Sequence, residues 1–208
     1  MKDYPARPGF PCEESKFPWL SMLLDAYAII DSGVALAIDE QEAKRSVKLA
    51  CKEGCDNCCM QKDIPVYPLE LVGIYWFSTE KIVPPVRKTL KEQLSQHEKS
   101  DPCPFLMDNS CSIRPIRPVS CRQFNVLGRP CDTGEDPYYS RRGDVLTPLE
   151  EYTERAFSAM MPFYGVSGEA VSDRAVIDSI IHAQAGNIQT YDWKNLARIM
   201  DNFDSKNI

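Results

Sequence analysis

The chain has 208 residues, of which 43% are hydrophobic, and its net charge is -6. This composition supports a packed core and excludes global disorder, while the acidic balance argues against a general nucleic-acid surface. The start, MKDYPARPGFPCEES, lacks the basic and apolar regions of a secretory signal. We therefore expect a cytoplasmic protein with reduced thiols, built as a single domain over residues 1–208.

The N-terminal part is predicted to be an arm followed by helix. Residues 1–16 are rich in proline and charge, which is typical of an arm. Residues 17–50 carry apolar side chains at three- and four-residue spacings and are predicted to be helical, with Gly33 as a candidate break between two helices. The apolar stretch Trp19–Ile38 is interrupted by two aspartates and this glycine, so we expect a buried helix and no membrane span.

The middle of the chain, residues 51–137, is predicted to be largely irregular. Shorter helices are expected from Glu70 to Phe77 and from Pro84 to about Lys99. Residues 101–137 contain six prolines, which exclude long helices because proline lacks the backbone N–H that a helix interior needs.

The C-terminal part, residues 145–208, is predicted to be helical again. The predicted helices run from Thr147 to about Met161, from Ser172 or Asp173 to near Gly186, and from Asp192 to Phe203. The first of them begins with Thr147-Pro-Leu-Glu150, read as a capping box with proline at the first helical position. The predicted fold class is therefore mainly α, with helices flanking an irregular, proline-rich, cysteine-bound metal centre and few or no strands.

Eight of the nine cysteines fall into two groups in the middle of the chain. The eight are Cys51, Cys55, Cys58, Cys59, Cys103, Cys111, Cys121 and Cys131. Thiolates are the ligands that structural zinc and iron–sulfur clusters share, and neither His97 nor His182 lies at a ligand spacing from a cysteine group. We predict that the eight cysteines are metal ligands and that the isolated Cys12 is a free thiol.

The adjacent pair Cys58-Cys59 limits how the ligands can be shared. Neighbouring side chains diverge by about 100° in a helix and point to opposite faces in a strand, so one ion rarely takes both. The pair therefore indicates two centres, or one multi-iron cluster, or one ligand beside a redox-active thiol.

Four arginines lie between or beside the cysteines of the second group: Arg114, Arg117, Arg122 and Arg129. They could neutralise thiolates and donate hydrogen bonds to sulfur, which tunes a metal centre. Arg122 directly follows Cys121 and is our candidate for a cofactor-binding residue. The alternative is that these arginines are ordinary surface residues.

The cysteine pattern resembles a known family. The matching residues are Cys51, Cys55, Cys58 and Cys59, then Cys103-Pro-Phe-Leu106, Cys111-Ser-Ile113, Arg117-Pro118 and Cys121-Arg122. They resemble the CxxCxxCC (YkgJ-type) cysteine-cluster family, which is described as zinc- or iron-chelating and includes relatives of flagellin lysine N-methylase. The resemblance covers roughly residues 48–131 and departs at Arg114, where the family usually has tyrosine. It implies metal binding and leaves both the metal and the reaction open.

Three functions are compatible with these observations. The first is a metal-binding protein that holds an iron–sulfur cluster, with 4Fe-4S favoured, or zinc. It would act in redox chemistry or electron transfer, and its partners would be metal ions and a protein redox partner or protein substrate.

The second function is an S-adenosylmethionine-dependent methyltransferase or radical enzyme, because Cys51-x3-Cys55-x2-Cys58 has the spacing of the radical signature and the resemblance includes a protein methylase. The short chain without strand–helix repeats argues against it. The third is a redox sensor that uses the Cys58-Cys59 pair or Cys12. Whether the protein is an enzyme stays open at this point.

Overall fold

Helices dominate the computed structural model, which describes residues 6–206. The α-helices in this part of the chain are α1 (Pro11–Glu14), α2 (Pro18–Arg45), α3 (Pro68–Glu80), α4 (Val86–Gln96), α5 (Val119–Gln123), α6 (Pro137–Ser140), α7 (Glu150–Met160), α8 (Arg174–Ile180) and α9 (Trp193–Lys206). The strands are β1 (Pro65–Val66), β2 (Leu106–Met107), β3 (Ser110–Cys111) and β4 (Gly186–Asn187). They form two antiparallel pairs, β1 with β4 and β2 with β3. The predicted mainly α fold class is confirmed.

Helix α2 is one continuous helix, and the predicted break at Gly33 is wrong. The glycine instead allows α2 to approach α7, because a Cβ atom at Gly33 would lie 2.5 Å from the Cβ of Tyr152. The helix ends at Arg45, before the predicted end near Ala50. Ser46 has a φ of 54°, in the left-handed region, and turns the chain out of the helix.

The contacts of α2 are those of a core helix. Its length and apolar composition would allow it to cross a membrane. However, Leu20, Leu23, Leu24 and Tyr27 are fully buried in the structure, and the helix packs against α3, α5 and α7.

A buried arginine joins three further helices of the core. Arg87 of α4 donates hydrogen bonds to the carbonyls of Ser78, Thr79 and Ile82, at and just beyond the end of α3. Its guanidinium also pairs with Asp204 of α9 at 2.6 Å. These bonds satisfy carbonyl groups that have no partner within α3 and fix the ends of the three helices together.

The middle of the chain is as irregular as its prolines predict. Within residues 101–137 the longest α-helix is the five-residue α5. Helix α4 starts just after Pro84-Pro85 but ends at Gln96, short of the predicted Lys99. His97 leaves the helix and is buried, where its Nε2 lies 3.1 Å from the carbonyl oxygen of Gln189.

The start of the C-terminal part differs from its prediction. The capping box at Thr147–Glu150 is wrong, since α7 begins at Glu150 and has no side-chain cap. Val145 and Leu146 are extended, with a bridge from Val145 to Val126, and this pairing delays the start of the helix.

The two later helices begin at or next to their predicted positions. Asp173 caps α8 as predicted, with its side chain accepting bonds from the N–H groups of Ala175 and Val176. Helix α8 ends at Ile180 rather than near Gly186, because Gly186 pairs with Val66 in the β1–β4 sheet. Helix α9 starts one residue after the predicted Asp192.

The predicted N-terminal arm is docked on the helices over its described part; residues 1–5 of it lie outside the described residues. Arg7 forms ion pairs with Glu14 at 2.7 Å and with Asp25 of α2 at 2.6 Å. The Phe10 ring packs edge-on against Trp76 of α3, with ring centroids 5.0 Å apart.

Candidate metal centre

The first cysteine group lies on a tight turn followed by one turn of 3-10 helix. Gly54 has a φ of 78°, which lets the chain reverse between Cys51 and Cys55. Cys58 and Cys59 lie in the 3-10 helix Asn57–Met60. The short loop gathers four thiols with little loss of chain entropy.

A hairpin brings the second group against the first. Strands β2 and β3 pair Leu106 with Cys111, and the turn residues Asp108 and Asn109 have φ values of 46° and 59°, as a tight two-residue hairpin requires. The backbone N–H of Cys103, just before this hairpin, donates to the carbonyl of Cys59 at 2.8 Å. This bond joins the two cysteine groups directly.

A buried carboxylate positions the helix that carries Cys121. Glu70 accepts hydrogen bonds from the N–H of Tyr67 at 3.0 Å and from the N–H of Val119 at 2.6 Å, at the first turns of α3 and α5. Burial raises the pKa of Glu70 to about 7. Glu70 therefore links two helix N-termini and fixes α5, and with it Cys121, relative to the core.

The segment that carries Cys131 is tied back to the first group by side-chain amides. Asn57 Nδ2 donates to the carbonyl of Glu135 at 2.5 Å, and Asn57 Oδ1 accepts from the N–H of Gly134 at 3.2 Å. Gln61 Nε2 also donates to the Glu135 carbonyl at 3.0 Å. Cys131, which is predicted as a ligand from its position and is not among the residues quoted for the family resemblance, thereby lies beside the first group.

The thiols of the first group and Cys131 affect one another's pKa values. Burial raises the pKa of Cys51, and nearby Cys55, Cys58 and Cys131 raise it further. The pKa of Cys131 is also raised, first by burial and then by Cys55 and Cys58, while the charge of Arg141 opposes the rise. These four thiols lie together.

The remaining four thiols form a second neighbourhood. The hydrogen-bonded thiol of Cys103 raises the pKa of Cys59 to about 12, and Cys111 adds to the effect. Burial raises the pKa of Cys121 well above the usual thiol value, and Cys58, Cys111 and Cys59 act in the same direction. Cys58 thus affects the pKa of thiols in both sets.

N–H groups donate hydrogen bonds to two of the sulfur atoms. The N–H of Val126 donates to Cys51 Sγ at 3.3 Å, and Arg141 Nη2 donates to Cys131 Sγ at 3.6 Å. Such N–H···S bonds stabilise thiolate charge and tune the metal that the thiolates hold. Sequence reasoning missed Arg141 because it lies ten residues after Cys131; no spacing rule connects the two.

Arg122 is buried, so the alternative of a surface arginine is wrong for this residue. It is 4% exposed and stacks over the Tyr27 ring, 4.0 Å from its centroid. Its guanidinium donates to Asp31 Oδ2 at 2.5 Å and to the carbonyls of Pro115 at 2.7 Å and Arg117 at 2.8 Å. The hydrogen-bond partners seen for it in residues 6–206 are all oxygen atoms, and its role as a cofactor-binding residue stays a prediction.

The other three arginines of the second group differ among themselves. Arg117 and Arg114 lie close enough to Cys111 for their charges to counter the rise that burial produces in its pKa. Arg129 is half exposed and pairs with Asp132 and Glu135. Arg117 and Arg114 thus contribute positive charge near the sulfur atoms.

A buried glutamine far along the chain also supports the site. Gln189 Nε2 donates to the carbonyl of Gln61 at 2.8 Å and to that of Asp101 at 3.1 Å. These carbonyls lie two residues from Cys59 and from Cys103. Gln189 therefore holds the two cysteine groups at a fixed separation, and no motif in the sequence indicates it.

The donor set fits a thiophilic metal by its chemistry. Across residues 6–206, no three Cys, His, Asp or Glu side chains surround a common point as ligands of one ion would. The thiols instead bond to one another, Cys58 to Cys59 and Cys59 to Cys103. Zinc and iron–sulfur clusters both take thiolate ligands, and binding either one would replace these S–H···S contacts with metal–sulfur bonds.

The cysteine-rich middle of the chain is similar to a known family. Residues 50–145 match the model of the CxxCxxCC family, described as "Putative zinc- or iron-chelating domain". This match covers slightly less than half of the chain and confirms the resemblance read from the sequence. The match supports zinc or iron chelation. Neither the curated proteins nor the solved structures include a match to this chain.

Proposed function

We propose that this protein holds an iron–sulfur cluster, with 4Fe-4S favoured, or zinc, and that it serves in redox chemistry or electron transfer. The proposed ligands are Cys51, Cys55, Cys58, Cys59, Cys103, Cys111, Cys121 and Cys131. The observation that supports the proposal is that thiols from distant segments lie close together, with Cys58 bonded to Cys59 and Cys59 to Cys103. Separate structural elements contribute to this, namely a turn, a hairpin, α5 and the loop before α6.

The number and surroundings of the thiols favour iron–sulfur chemistry over a single zinc ion. One structural zinc takes four thiolates, and the site offers eight. The N–H···S bonds to Cys51 and Cys131 are of the kind that tune the reduction potential of iron–sulfur clusters. Two zinc ions would also use all eight thiols.

The proposed redox role follows from the exposure of part of the site. Cys55 is exposed, and Cys131 is only partly buried, so a centre held there would be near the surface and near a protein redox partner. None of the nine cysteines is in a disulfide. So many free thiols in one chain are typical of proteins in the reducing cytoplasm, and we propose the cytoplasm as the location of this protein.

Metal and sulfide analysis of anaerobically purified protein tests the proposal. We expect iron with a similar amount of acid-labile sulfide, and loss of both when Cys58 is replaced by serine. Cys12→Ser is the matched control, since Cys12 is an exposed thiol outside the site, and it should retain the metal. Stoichiometric zinc without sulfide would replace the iron–sulfur version, and protein free of both metals would refute the proposal.

An S-adenosylmethionine-dependent methyltransferase or radical reaction is the second candidate, because Cys51, Cys55 and Cys58 lie on one loop with Cys55 exposed. In a radical enzyme, three cysteines leave one iron open for the cofactor. Here Cys131 lies beside these three thiols and offers a fourth ligand, which argues against an open iron. Calorimetric titration of the reconstituted protein with S-adenosylmethionine tests this candidate, and absence of binding would dismiss it.

A further inference from the structure

We propose that a segment outside the family match, residues 187–190, positions the cysteine ligands of the metal centre. In this clamp segment, Gln189 is the positioning residue, because its side chain joins the parts of the chain that carry Cys59 and Cys103. Metal affinity should therefore depend on Gln189, whose side chain binds carbonyl oxygens and acts on the metal only through the cysteines. This inference rests on the proposed function and adds a residue to it.

The Gln189 amide bridges the two cysteine-bearing segments where they meet. Its Nε2 donates one hydrogen bond to the carbonyl of Gln61 at 2.8 Å and one to the carbonyl of Asp101 at 3.1 Å. A side-chain amide has two N–H donors, so both are used. The N–H of Cys103 donates to the carbonyl of Cys59 at 2.8 Å. The backbone bond and the Gln189 bridge thus connect the same two segments at successive positions.

The backbone of the clamp segment is itself fixed, so the bridge is rigid. The N–H of Ile188 donates to the carbonyl of Ile64 at 2.9 Å, in the segment that follows the first cysteine group. The Gln189 carbonyl oxygen lies 3.1 Å from Nε2 of the buried His97, and its N–H donates to Asn187 Oδ1 at 3.0 Å. The Gln189 side chain is only 2% exposed. The amide therefore cannot turn away from the two carbonyls without moving the segments around it.

The amide oxygen of Gln189 opposes the stability that the two donor bonds provide. Oε1 is buried and has no hydrogen-bond partner within residues 6–206. Burial of an unpaired amide oxygen is unfavourable, whereas an apolar side chain of the same length would avoid this cost. We therefore expect that replacing Gln189 changes stability less than its burial suggests. The larger effect should be on the relative position of the two carbonyls.

The clamp segment lies beyond the part of the chain that matches the family. That match covers residues 50–145, which include the eight candidate ligands. Gln189 lies between α8 and α9, in the C-terminal helical part. In this protein, the separation of the two cysteine groups is therefore set in part by residues that the family model does not cover.

Fixing this separation should favour metal binding. Within residues 6–206, no three ligand side chains surround a common point, so the thiols must shift when a metal binds. The clamp segment keeps the Cys59 and Cys103 segments within reach of each other, which lowers the loss of chain entropy on binding. Groups that orient metal ligands without touching the metal typically change its affinity by about 10–100-fold.

Zinc affinity of the full chain, measured anaerobically by competition with a chromophoric chelator, tests the inference. Gln189→Met keeps the side-chain length but removes both N–H donors. It should retain the far-ultraviolet helical signal and bind zinc about tenfold or more weakly than the wild type. The thiolate-to-cobalt absorption of the cobalt(II)-loaded variant should also change, because that absorption reports the number and geometry of the sulfur ligands.

Gln93→Met is the matched control. Gln93 Nε2 likewise donates to two carbonyls, those of Pro104 and Leu106, both at 2.8 Å. These carbonyls belong to one segment, so the control loses the same number of hydrogen bonds without separating the two cysteine groups. It should bind zinc with the affinity of the wild type and give the same cobalt absorption.

Three outcomes would overturn the inference. The first is wild-type affinity and cobalt absorption in Gln189→Met. The second is an equal loss of affinity in both glutamine variants, which would indicate general loosening of the fold. If Gln189→Met does not fold, Gln189→Asn serves instead, since its shorter amide cannot reach both carbonyls; wild-type affinity in that variant is the third. Wild-type protein that binds neither zinc, cobalt nor iron would instead refute the proposed function.

Discussion

The guanidinium of Arg122 has oxygen atoms on three sides, supplied by Asp31 and by the carbonyls of Pro115 and Arg117. A charge this deeply buried is tolerated only when its N–H groups are paired. Its position after Cys121 suggested a sulfur partner. The partner it has on α2 lies 91 residues away, and no local spacing predicts a contact at that separation.

The first prediction concerns this residue. Arg122→Lys keeps the charge, but the lysine ammonium cannot reproduce the three divergent hydrogen bonds of the planar guanidinium. The free energy of unfolding should therefore fall by about 2–4 kcal/mol. Urea unfolding of the metal-loaded protein measures the change. Arg155→Lys, on an exposed side chain, is the control and should stay within about 0.5 kcal/mol. Unchanged stability with loss of metal would show instead that Arg122 binds the cofactor.

At the scale of elements, the packing of α2 on α7 depends on one glycine. Gly33 lies in the middle of a helix, where glycine is unfavourable by about 1 kcal/mol relative to alanine. The side chain of Tyr152 occupies the space that a Cβ atom would need. The sequence suggested that this glycine interrupts the helix, whereas in the structure it forms a helix–helix contact. A sequence pattern shows helix propensity, but it does not show which helix lies next to the residue.

The second prediction follows from this contact. Gly33→Ala should lower the free energy of unfolding by up to about 2 kcal/mol, because overpacking costs about 1–3 kcal/mol and the gain in helix propensity offsets only about 1 kcal/mol of it. Thermal or urea unfolding measures it. In a Tyr152→Ala background the same change should stabilise the protein, since the clash is gone. A stabilising effect in the wild-type background would contradict the packing.

The third prediction concerns docking of the N-terminal segment. The Arg7 side chain, hydrogen-bonded to Glu14, lowers the pKa of that carboxyl from 4.5 to about 2. A lowered pKa means that the ionised carboxylate stabilises the folded state above about pH 4.5, and that this contribution is lost as the pH falls toward about 2.

Comparison of Glu14→Gln with the wild type tests this pH dependence. At pH 7 the variant should be less stable by about 1 kcal/mol, as for other partly exposed charged pairs, and the difference should vanish on acidification. Acid effects on the cysteine site are common to both proteins and cancel in the difference. Glu151→Gln, on an exposed side chain, is the control. A difference that is independent of pH would rule out the ion pair as its cause.

At the scale of the whole molecule, the helices form a core that includes part of the cysteine site. Leu20 of α2, Ile74 of α3, Phe157 of α7 and Trp193 of α9 are buried in one cluster with Cys103. Cys59, Cys111 and Cys121 pack against this cluster, and the other ligand candidates, Cys51, Cys55, Cys58 and Cys131, lie outside it. Metal removal should therefore affect the loops first and the helices last, because the helices are stabilised by apolar burial rather than by the metal.

The fourth prediction tests this order. Chelation of the loaded protein should leave most of the far-ultraviolet helical signal, while amide exchange becomes fast at residues 51–63 and 128–137. Hydrogen exchange read by mass spectrometry measures both regions against α2 and α9 as internal references. Loss of the whole helical signal on chelation would show that the entire fold depends on the metal.

The sequence by itself determined the chemistry of the site and the class of the fold. Apolar spacing is local, so it predicts helices such as α3 and α9. Proline likewise acts on its own neighbours, so residues 101–137 could be assigned as irregular. The short cysteine spacings and their neighbours were enough to indicate the family that matches residues 50–145.

Only the tertiary structure decided how these parts meet. The contacts of Gln189, Arg141 and Glu70 around the cysteines join segments that are far apart or carry no spacing signal. The end of α8 was set by the pairing of Gly186 with Val66 in a distant segment rather than by the residues of the helix itself. Which of the thiols pack on the core was also decided by the tertiary structure, because burial is a property of the folded chain.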